Sequence, residues 1–254
     1  MKREIRIFFT AVMFFTRIPC PNFTDHDPEY LNRSSKYFTL VGLLLGALCG
    51  LSFWLSVQVF SPPIALLLSF VVSLLLTGAF HEDGMADVCD GFGGGWTKLK
   101  ILDIMKDSRV GTYGLVGLGL VLALKFAALS ELSVEMMIPV LISGHAISRL
   151  TSVSLIYTEE YAREDLLSKS KPLATKMSHQ DYLIAVFFGL SPLLLMRTYW
   201  IFLAIFPLII TKLYFSRYFN KWIGGYTGDC LGAVQQIAEI IYYLSVILIF
   251  KYLV

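Results

Sequence analysis

Long apolar segments dominate the sequence, and short polar stretches separate them. A helix that crosses the hydrocarbon core of a bilayer needs about 20 apolar residues, and the cores of soluble proteins seldom contain such runs. Charged residues make up only 16% of the 254 residues, whereas an average soluble domain has about 25%. The sequence therefore predicts an all-α integral membrane protein with about seven transmembrane helices, or five or six if a pair is re-entrant. The predicted spans are Phe38–Phe60, Ile64–Phe80, Tyr113–Leu129, Val134–Tyr157, Tyr182–Met196, Tyr199–Phe215 and Ile237–Phe250.

Basic residues are concentrated in alternate polar segments. The connections at 61–63 and 130–133 contain no Lys or Arg. Basic segments stay on the cytoplasmic side of a membrane, so we expect a cytoplasmic N-terminus and cytoplasmic loops that form the active site. No linker or repeat divides the chain, and residues 1–254 are expected to form a single polytopic membrane domain. The basic segments are residues 1–37, 81–112, 158–181 and 216–236.

The N-terminal segment argues against a cleaved signal peptide, and the cysteines argue against a disulfide framework or a zinc site. Arg17 interrupts the first apolar run and no small-residue cleavage site follows it, so Ile5–Ile18 is predicted to be an interfacial or re-entrant helix that the protein retains. The four cysteines form no CxxC pair, and neither a disulfide framework nor a zinc site is predicted. A net charge of +2 gives no strong field for nucleic acid.

An acidic run, HEDGMADVCDG, follows directly after the second predicted span. Asp83 and Asp87 are four residues apart and Asp90 follows three residues later, so the three carboxylates share one face if the segment is helical. Their mutual repulsion costs free energy unless a cation binds. Mg²⁺ is typically held by a few carboxylates together with substrate phosphates. The run therefore predicts a magnesium–diphosphate site, with acids that merely face water as the alternative.

Two further polar segments carry groups that suit phosphate. In MKDSRVGTYG, Arg109 offers a bidentate fork for phosphate oxygens and Lys106 a compact charge, although both also suit the ordinary basic flank of a span. Asp107 is able to complete the metal site or accept a proton. In GGYTGDCLGA, backbone amides at a helix N-terminus favour anions, and Asp229 suits a cation or a hydroxyl. This segment lacks the Lys-Ser/Thr ending of a Walker loop.

Ionisable residues within predicted spans are expected to face a cavity or a partner. Arg149 is interpreted either as a substrate contact or as part of a structural pair. Lys125 has no obvious partner in the sequence, and snorkelling of its ammonium group towards the membrane surface is the simple explanation. Glu239 is expected at the cytoplasmic start of the last span.

The three motifs, in this order and separated by apolar spans, resemble those of the cobalamin synthase family, the adenosylcobinamide-GDP ribazoletransferases. The resemblance covers nearly the whole chain, from the first span to the last. It implies a multi-pass enzyme of the bacterial cytoplasmic (inner) membrane, dependent on Mg²⁺, with its active site facing the cytoplasm. It also implies a late step of cobalamin (vitamin B12) biosynthesis: a ribazole hydroxyl attacks the phosphate attached to cobinamide in adenosylcobinamide-GDP, GMP leaves, and adenosylcobalamin or its 5′-phosphate forms.

Residue roles follow when the motifs are combined with this chemistry, because phosphoryl transfer depends mainly on positioning and charge neutralisation. The expected partners are adenosylcobinamide-GDP, α-ribazole or its phosphate, and membrane lipid, with no nucleic acid; a homo-oligomer is left open. Asp83, Asp87 and Asp90 are expected to hold Mg²⁺ against the diphosphate, with Glu82 or Asp107 as a further ligand or base. Lys106 and Arg109 would neutralise phosphate oxygens, and Thr227 and Asp229 would bind a ribose or a phosphate.

Two alternatives remain at this point. A CDP-alcohol phosphotransferase also uses an acidic DG-x-x-A motif beside a membrane, but its pattern has Arg directly after the alanine, where this chain has Asp87 after Ala86. A cation transporter would place acids near mid-bilayer on broken helices with inverted repeats. Here the acids cluster at the ends of predicted spans and no repeat is found.

Overall fold

The structure is a computed structural model that describes residues 2–24, 28–162 and 177–254. Helices make up nearly all of these residues, and the only β pairing in them is an isolated bridge between Tyr161 and Tyr226. The helices are α1 (Lys2–Phe15), α2 (Pro28–Ser34), α3 (Phe38–Ser56), α4 (Pro62–Thr77), α5 (Phe80–Gly94), α6 (Lys98–Ile104), α7 (Thr112–Ser130), α8 (Val134–Thr158), α9 (His179–Leu190), α10 (Ile205–Ile223) and α11 (Gly228–Tyr252).

Six helical segments of the described residues are long and apolar enough to cross a membrane, and a seventh span results if α4 and α5 are taken as one broken span. The all-α membrane fold predicted from the apolar segments is therefore confirmed. Two spans include 3₁₀ turns: Ser191–Met196 extends α9, and Tyr199–Ala204 precedes α10. The basic residues Arg163, Lys169, Lys171 and Lys176, used in the orientation argument, lie outside the described residues.

The segment 81–112 is not a loop. It contains helices α5 and α6, and α5 begins after an 88° bend from α4. Gly78 and Ala79 make the bend with left-handed backbone angles, φ 68° and 57°, which glycine adopts freely and alanine only under constraint. The Arg17 N–H donates to the Leu76 carbonyl at 2.7 Å, so the chain after α1 satisfies a carbonyl at the end of α4.

The last helix also begins earlier than the apolar pattern suggests. Helix α11 starts at Gly228, so only residues 224–227 connect it to α10. Glu239 consequently lies about three turns inside α11 and is 4% exposed. The expectation that Glu239 begins the last span was wrong, because the polar residues Gln235 and Gln236 before it are already buried positions of the same helix.

Helices α3 and α8 pack closely along their lengths, and α11 also packs against α8. Glycines of α3 allow this approach: a Cβ at Gly46 would lie 2.6 Å from the carbonyl oxygen of Leu141. Small residues at helix contacts are the usual means by which membrane helices pack closely. The bundle thus brings α5, α7, α8 and α11 together around one interior.

Substitution of Gly46 by Leu is expected to lower the melting temperature of the detergent-purified protein. The new side chain would meet backbone atoms of α8, and overpacking of this kind costs about 1–3 kcal/mol. Gly119→Leu is the matched control, because a Cβ there meets no atom within 4 Å. Equal melting temperatures for the two variants would contradict the close α3–α8 contact.

Candidate active site

Helix α5 lies against the first turns of α11 through glycines. A Cβ at Gly84 would lie 2.9 Å from the carbonyl oxygen of Asp229, and a Cβ at Gly232 would lie 3.1 Å from that of His81. These contacts place the acidic run directly beside the N-terminus of α11. The first and third sequence motifs, which are far apart in the chain, therefore meet at one site.

Asp83 and Asp87 form the accessible acidic face of α5. They are one helical turn apart and share a face, as their spacing predicts. Asp83 is exposed and Asp87 is half-buried. A ligand is therefore able to reach Asp83, and in part Asp87, from outside the bundle.

Asp90 belongs to the same helix but has a different environment. Its two carboxylate oxygens accept hydrogen bonds from the backbone N–H groups of Gly111 and Gly114, at 2.6 and 2.8 Å. These amides are at the N-terminus of α7, where they have no partner within the helix and favour a negative charge. The structure thus uses Asp90 to fasten α7 to α5, and its role as a metal ligand stays a prediction.

Glu82 points into the bundle, because adjacent helix positions differ by about 100°. It is 7% exposed, its Oε1 accepts from the Gln236 side chain at 2.8 Å, and its Oε2 has no hydrogen-bond partner in the part of the chain that the structure describes. Gln236 in turn donates to Gln235, whose amide contacts Ser148. The structure therefore separates Glu82 from Asp83 and Asp87, with which it was grouped as a ligand.

A buried ion pair continues this polar network. The ammonium of Lys125 lies 3.3 Å from Glu239, and the Tyr243 hydroxyl donates to the same carboxylate at 2.9 Å. Both charged residues are at most 5% exposed, so snorkelling of Lys125 is excluded. A cavity of about 20 Å³, enough for one water molecule, lies beside Glu82, Lys125 and Glu239.

Arg149 is also enclosed, at 1% exposure. One guanidinium nitrogen contacts the ring nitrogen and the carbonyl oxygen of His145 at 3.1 and 2.8 Å, and the guanidinium lies 5.4 Å from the Phe38 ring. This geometry favours the structural alternative for Arg149 over a substrate contact. Its charge and that of Lys125 formally balance those of Glu82 and Glu239 in the same interior.

The basic motif lies beside the C-terminal part of α5, where Gly91 contacts Met105. Lys106 and Arg109 are both exposed. Arg109 forms a hydrogen-bonded pair with Asp107 at 2.6 Å, which lowers the pKa of Asp107 to about 2. A base of such low pKa is weak at neutral pH, so the structure favours Asp107 as a partner that orients Arg109. Exposed pairs are weak, and Arg109 remains able to exchange this carboxylate for a phosphate.

Thr227 serves as the N-cap of α11. Its hydroxyl accepts from the Cys230 N–H at 3.3 Å and its side chain is fully buried. This satisfies one of the unpaired amides at the helix start. Within the third motif, the groups available to a ligand are therefore Asp229 and the backbone around Gly228. Thr227 instead holds the helix end in place.

The acidic face suits magnesium if substrate phosphates and waters supply the rest of the coordination shell. Within the described residues, no three His, Cys, Asp or Glu side chains form a cluster that could hold a metal ion by themselves. Mg²⁺ is usually held by one or two carboxylates with substrate phosphates and waters completing the octahedron. Asp83 and Asp87 are the residues that would hold it in this way.

Comparison with known protein families gives evidence about this chain that is independent of the site geometry. The family described as cobalamin-5-phosphate synthase matches residues 7–247, which is nearly the whole chain. The chain belongs to this family. The match includes α5, the basic motif and α11, so the elements that build the candidate site are those of the family.

Curated relatives agree with this assignment. The chain is 46% identical to a protein of Shewanella frigidimarina over 96% of this chain and 95% of the relative, and 45% identical to one of Shewanella amazonensis over 98% of each. A protein of Shewanella piezotolerans is 44% identical over 98% of this chain and 97% of its own length. All three are named adenosylcobinamide-GDP ribazoletransferase. These names favour the main hypothesis over a lipid phosphotransferase or a transporter. No solved structure matches the chain.

Removal of the Lys125 charge is expected to destabilise the fold strongly. The variant Lys125→Met leaves the Glu239 carboxylate buried without its counter-ion, which costs about 3–5 kcal/mol. The double variant Lys125→Met/Glu239→Gln removes both charges and is expected to recover most of the loss. Thermal unfolding in detergent measures both, with Lys251→Met, an exposed lysine on α11, as the control. Wild-type stability of Lys125→Met would contradict the buried ion pair between Lys125 and Glu239.

The three aspartates of α5 are expected to differ in their effect on stability. Asp90→Asn keeps one acceptor oxygen and loses the charge, so one amide at the start of α7 loses its partner at a cost of about 1–3 kcal/mol. Asp83→Asn and Asp87→Asn are expected to melt close to the wild type. Equal melting of all three variants would rule out the capping role of Asp90.

Proposed function

We propose that this protein transfers the cobinamide-phosphate group of adenosylcobinamide-GDP to α-ribazole or its 5′-phosphate, with release of GMP and formation of adenosylcobalamin or its 5′-phosphate. The names of the curated relatives support this substrate pair. One structural observation carries the proposal: the accessible Asp83–Asp87 face lies beside the N-terminus of α11 and close to the basic motif. Such a site combines cation ligands with groups that bind phosphate.

Each group has a part in this chemistry. A bound Mg²⁺ would neutralise charge on the diphosphate. Asp83 and Asp87 would orient the diphosphate through the cation. Arg109 and Lys106 would bind the outer phosphate oxygens, with Asp107 orienting Arg109 before the substrate arrives. The backbone amides at the start of α11 would favour a further phosphate or ribose oxygen, beside Asp229.

The bond changes are simple to state. The acceptor hydroxyl oxygen forms a bond to the phosphorus attached to cobinamide, and the bond from that phosphorus to GMP breaks. The proton of the hydroxyl passes to solvent water at this accessible site, and GMP departs with its own phosphate as the leaving group. Binding in one orientation supplies most of the acceleration, because in-line displacement requires little covalent help from the protein.

We place the protein in the bacterial cytoplasmic membrane with this site facing the cytoplasm. The basic residues of the segment that carries the site support this orientation. Lys98, Lys106 and Arg109 all lie between α5 and α7 or on α6, next to the acidic face. Nucleotide-activated substrates are cytoplasmic compounds, which agrees with the same orientation.

The reaction is tested with the full chain purified in detergent and supplied with adenosylcobinamide-GDP, α-ribazole and Mg²⁺. Release of GMP and formation of the cobalamin product in equal amounts, both abolished by EDTA and restored by excess Mg²⁺, is the expected result. A folded protein that releases CMP from a CDP-lipid, and no GMP from the corrinoid, would overturn the proposal.

Neutralisation of the acidic face is expected to stop turnover without unfolding. In the same assay, Asp83→Asn and Asp87→Asn should each lower kcat by at least about a hundredfold, because charge neutralisation supplies much of the barrier reduction. Asp103→Asn, an exposed acid on α6, is the matched control and should retain wild-type kcat. Normal turnover in both variants of the acidic face would remove it from the mechanism.

A further inference from the structure

A small cavity lies between α1, the start of α5 and the start of α11. Its volume is about 50 Å³. Aromatic rings form much of its wall: Phe15 stacks on Phe38 with 4.1 Å between centroids, and Phe38 stacks on the imidazole of His81 at 5.5 Å. Phe80 packs edge-on against Phe14 at 5.7 Å. Such a wall suits a flat aromatic ring, because offset and edge-on ring contacts stabilise beyond area burial.

His81 lines the cavity and carries a buried ring nitrogen that is unpaired among the described residues. The side chain is 2% exposed, and its Nε2 has no hydrogen-bond partner among the described residues. An unsatisfied buried polar group costs about 1–3 kcal/mol. A ligand that offers a single hydrogen-bonding atom at this position would remove that cost.

The cavity adjoins the reaction site. Phe80 at its edge shares one face of α5 with Asp83 and Asp87, since the three residues follow the i, i+3, i+7 pattern of one helix face. Gly228, on the opposite wall, is the first residue of α11 and precedes Asp229. A ring held in the cavity therefore has its attached sugar within reach of the acidic face and the amides at the start of α11.

We propose that this cavity binds the base of the ribazole acceptor, a substituted benzimidazole nucleoside; the assignment rests on the proposed function. The base is apolar apart from one free ring nitrogen, and His81 Nε2 is the group that would pair with it. The sugar hydroxyl then lies towards the diphosphate held at Asp83 and Asp87. The cavity thereby selects the acceptor and directs it at the phosphorus.

The chemistry of the wall disfavours the other base in the reaction. Guanine carries several donors and acceptors around its edge, and an apolar aromatic wall would leave most of them unpaired at a cost for each. Only two of the described lining side chains, His81 and Tyr161, carry polar groups, and a site with few polar groups discriminates against a ligand that needs more. The guanosine of the donor is therefore assigned to the exposed side of the acidic face.

Entry of the base requires a movement of Phe80. A cavity of about 50 Å³ is smaller than a dimethyl-substituted bicyclic ring. Phe80 is 42% exposed at the edge, so its ring is the part of the wall that is free to turn outward. The stacked rings of Phe15 and Phe38 are at most 3% exposed and stay in place as the floor.

A bulky side chain at the edge of the cavity tests the assignment. A Cβ at Gly228 meets no atom within 4 Å, and the same holds for Gly119 on α7, away from the cavity. Gly228→Leu and Gly119→Leu are therefore matched substitutions that both have room to fold. Equilibrium binding of α-ribazole alone, and of GDP alone, is measured on the full chain in detergent for the wild type and both variants.

The expected result is a loss of ribazole affinity of at least about tenfold in Gly228→Leu, because a leucine at this exposed lining position obstructs the cavity; tenfold corresponds to about 1.4 kcal/mol. The loss of ribazole affinity in Gly228→Leu should exceed any loss of GDP affinity, because the backbone around Gly228 also adjoins the site assigned to phosphate. Gly119→Leu should match the wild type for both ligands. Gly228→Ala should give a smaller loss. Unchanged ribazole affinity in Gly228→Leu would overturn the assignment, as would a selective loss of GDP affinity or no ribazole binding by the wild type.

Measurements of turnover distinguish a failure of the cavity assignment from a failure of the proposed reaction. If the wild type forms cobalamin and Gly228→Leu keeps the wild-type KM for ribazole, the cavity assignment fails and the reaction stands. If the folded wild type binds ribazole in the cavity but releases no GMP, the reaction fails. A KM for ribazole that rises more than the KM for adenosylcobinamide-GDP supports both.

Discussion

Helix α5 lies against α11 at glycines that leave no room for a side chain, and this contact organises the rest of the site. Gly84 rests on the backbone of Asp229 and Gly232 on that of His81. Because the two backbones touch, one face of α5 reaches the outside beside the start of α11 while the opposite face enters the bundle. Asp83 and Glu82 consequently have opposite environments, one exposed and one buried, although they are neighbours in the sequence.

The inward face of α5 is part of a charge-balanced interior. Lys125 and Arg149 bring positive charge and Glu82 and Glu239 bring negative charge, each at most 7% exposed. Charges inside a membrane bundle are expensive unless they are paired, so α5, α7, α8 and α11 are held in one arrangement. Asp90 adds a second fastening, since it caps α7 from α5. The acidic face is thus presented by a rigid support, which is what a site for phosphoryl transfer requires.

The sequence predicted the fold well because apolar length is a direct requirement of the bilayer. The shared face of Asp83 and Asp87 was also predictable, since it depends only on helical spacing. The different environments of Glu82 and Asp90 were not, because their partners are 154 positions (Gln236) and 21 and 24 positions away. The partner of Lys125 was missed for the same reason. The charges inside the predicted spans did signal an interior network, but no local pattern states which charge meets which.

The central claim is that Asp83 and Asp87 hold a divalent cation together with the substrate diphosphate. Titration of Mn²⁺, a paramagnetic substitute for Mg²⁺, followed by electron paramagnetic resonance, tests it directly in the purified protein with and without adenosylcobinamide-GDP. The account predicts tight Mn²⁺ binding when this substrate is present, and its loss in the folded double variant Asp83→Asn/Asp87→Asn. Unchanged substrate-dependent Mn²⁺ binding in that variant would contradict it and place the cation elsewhere.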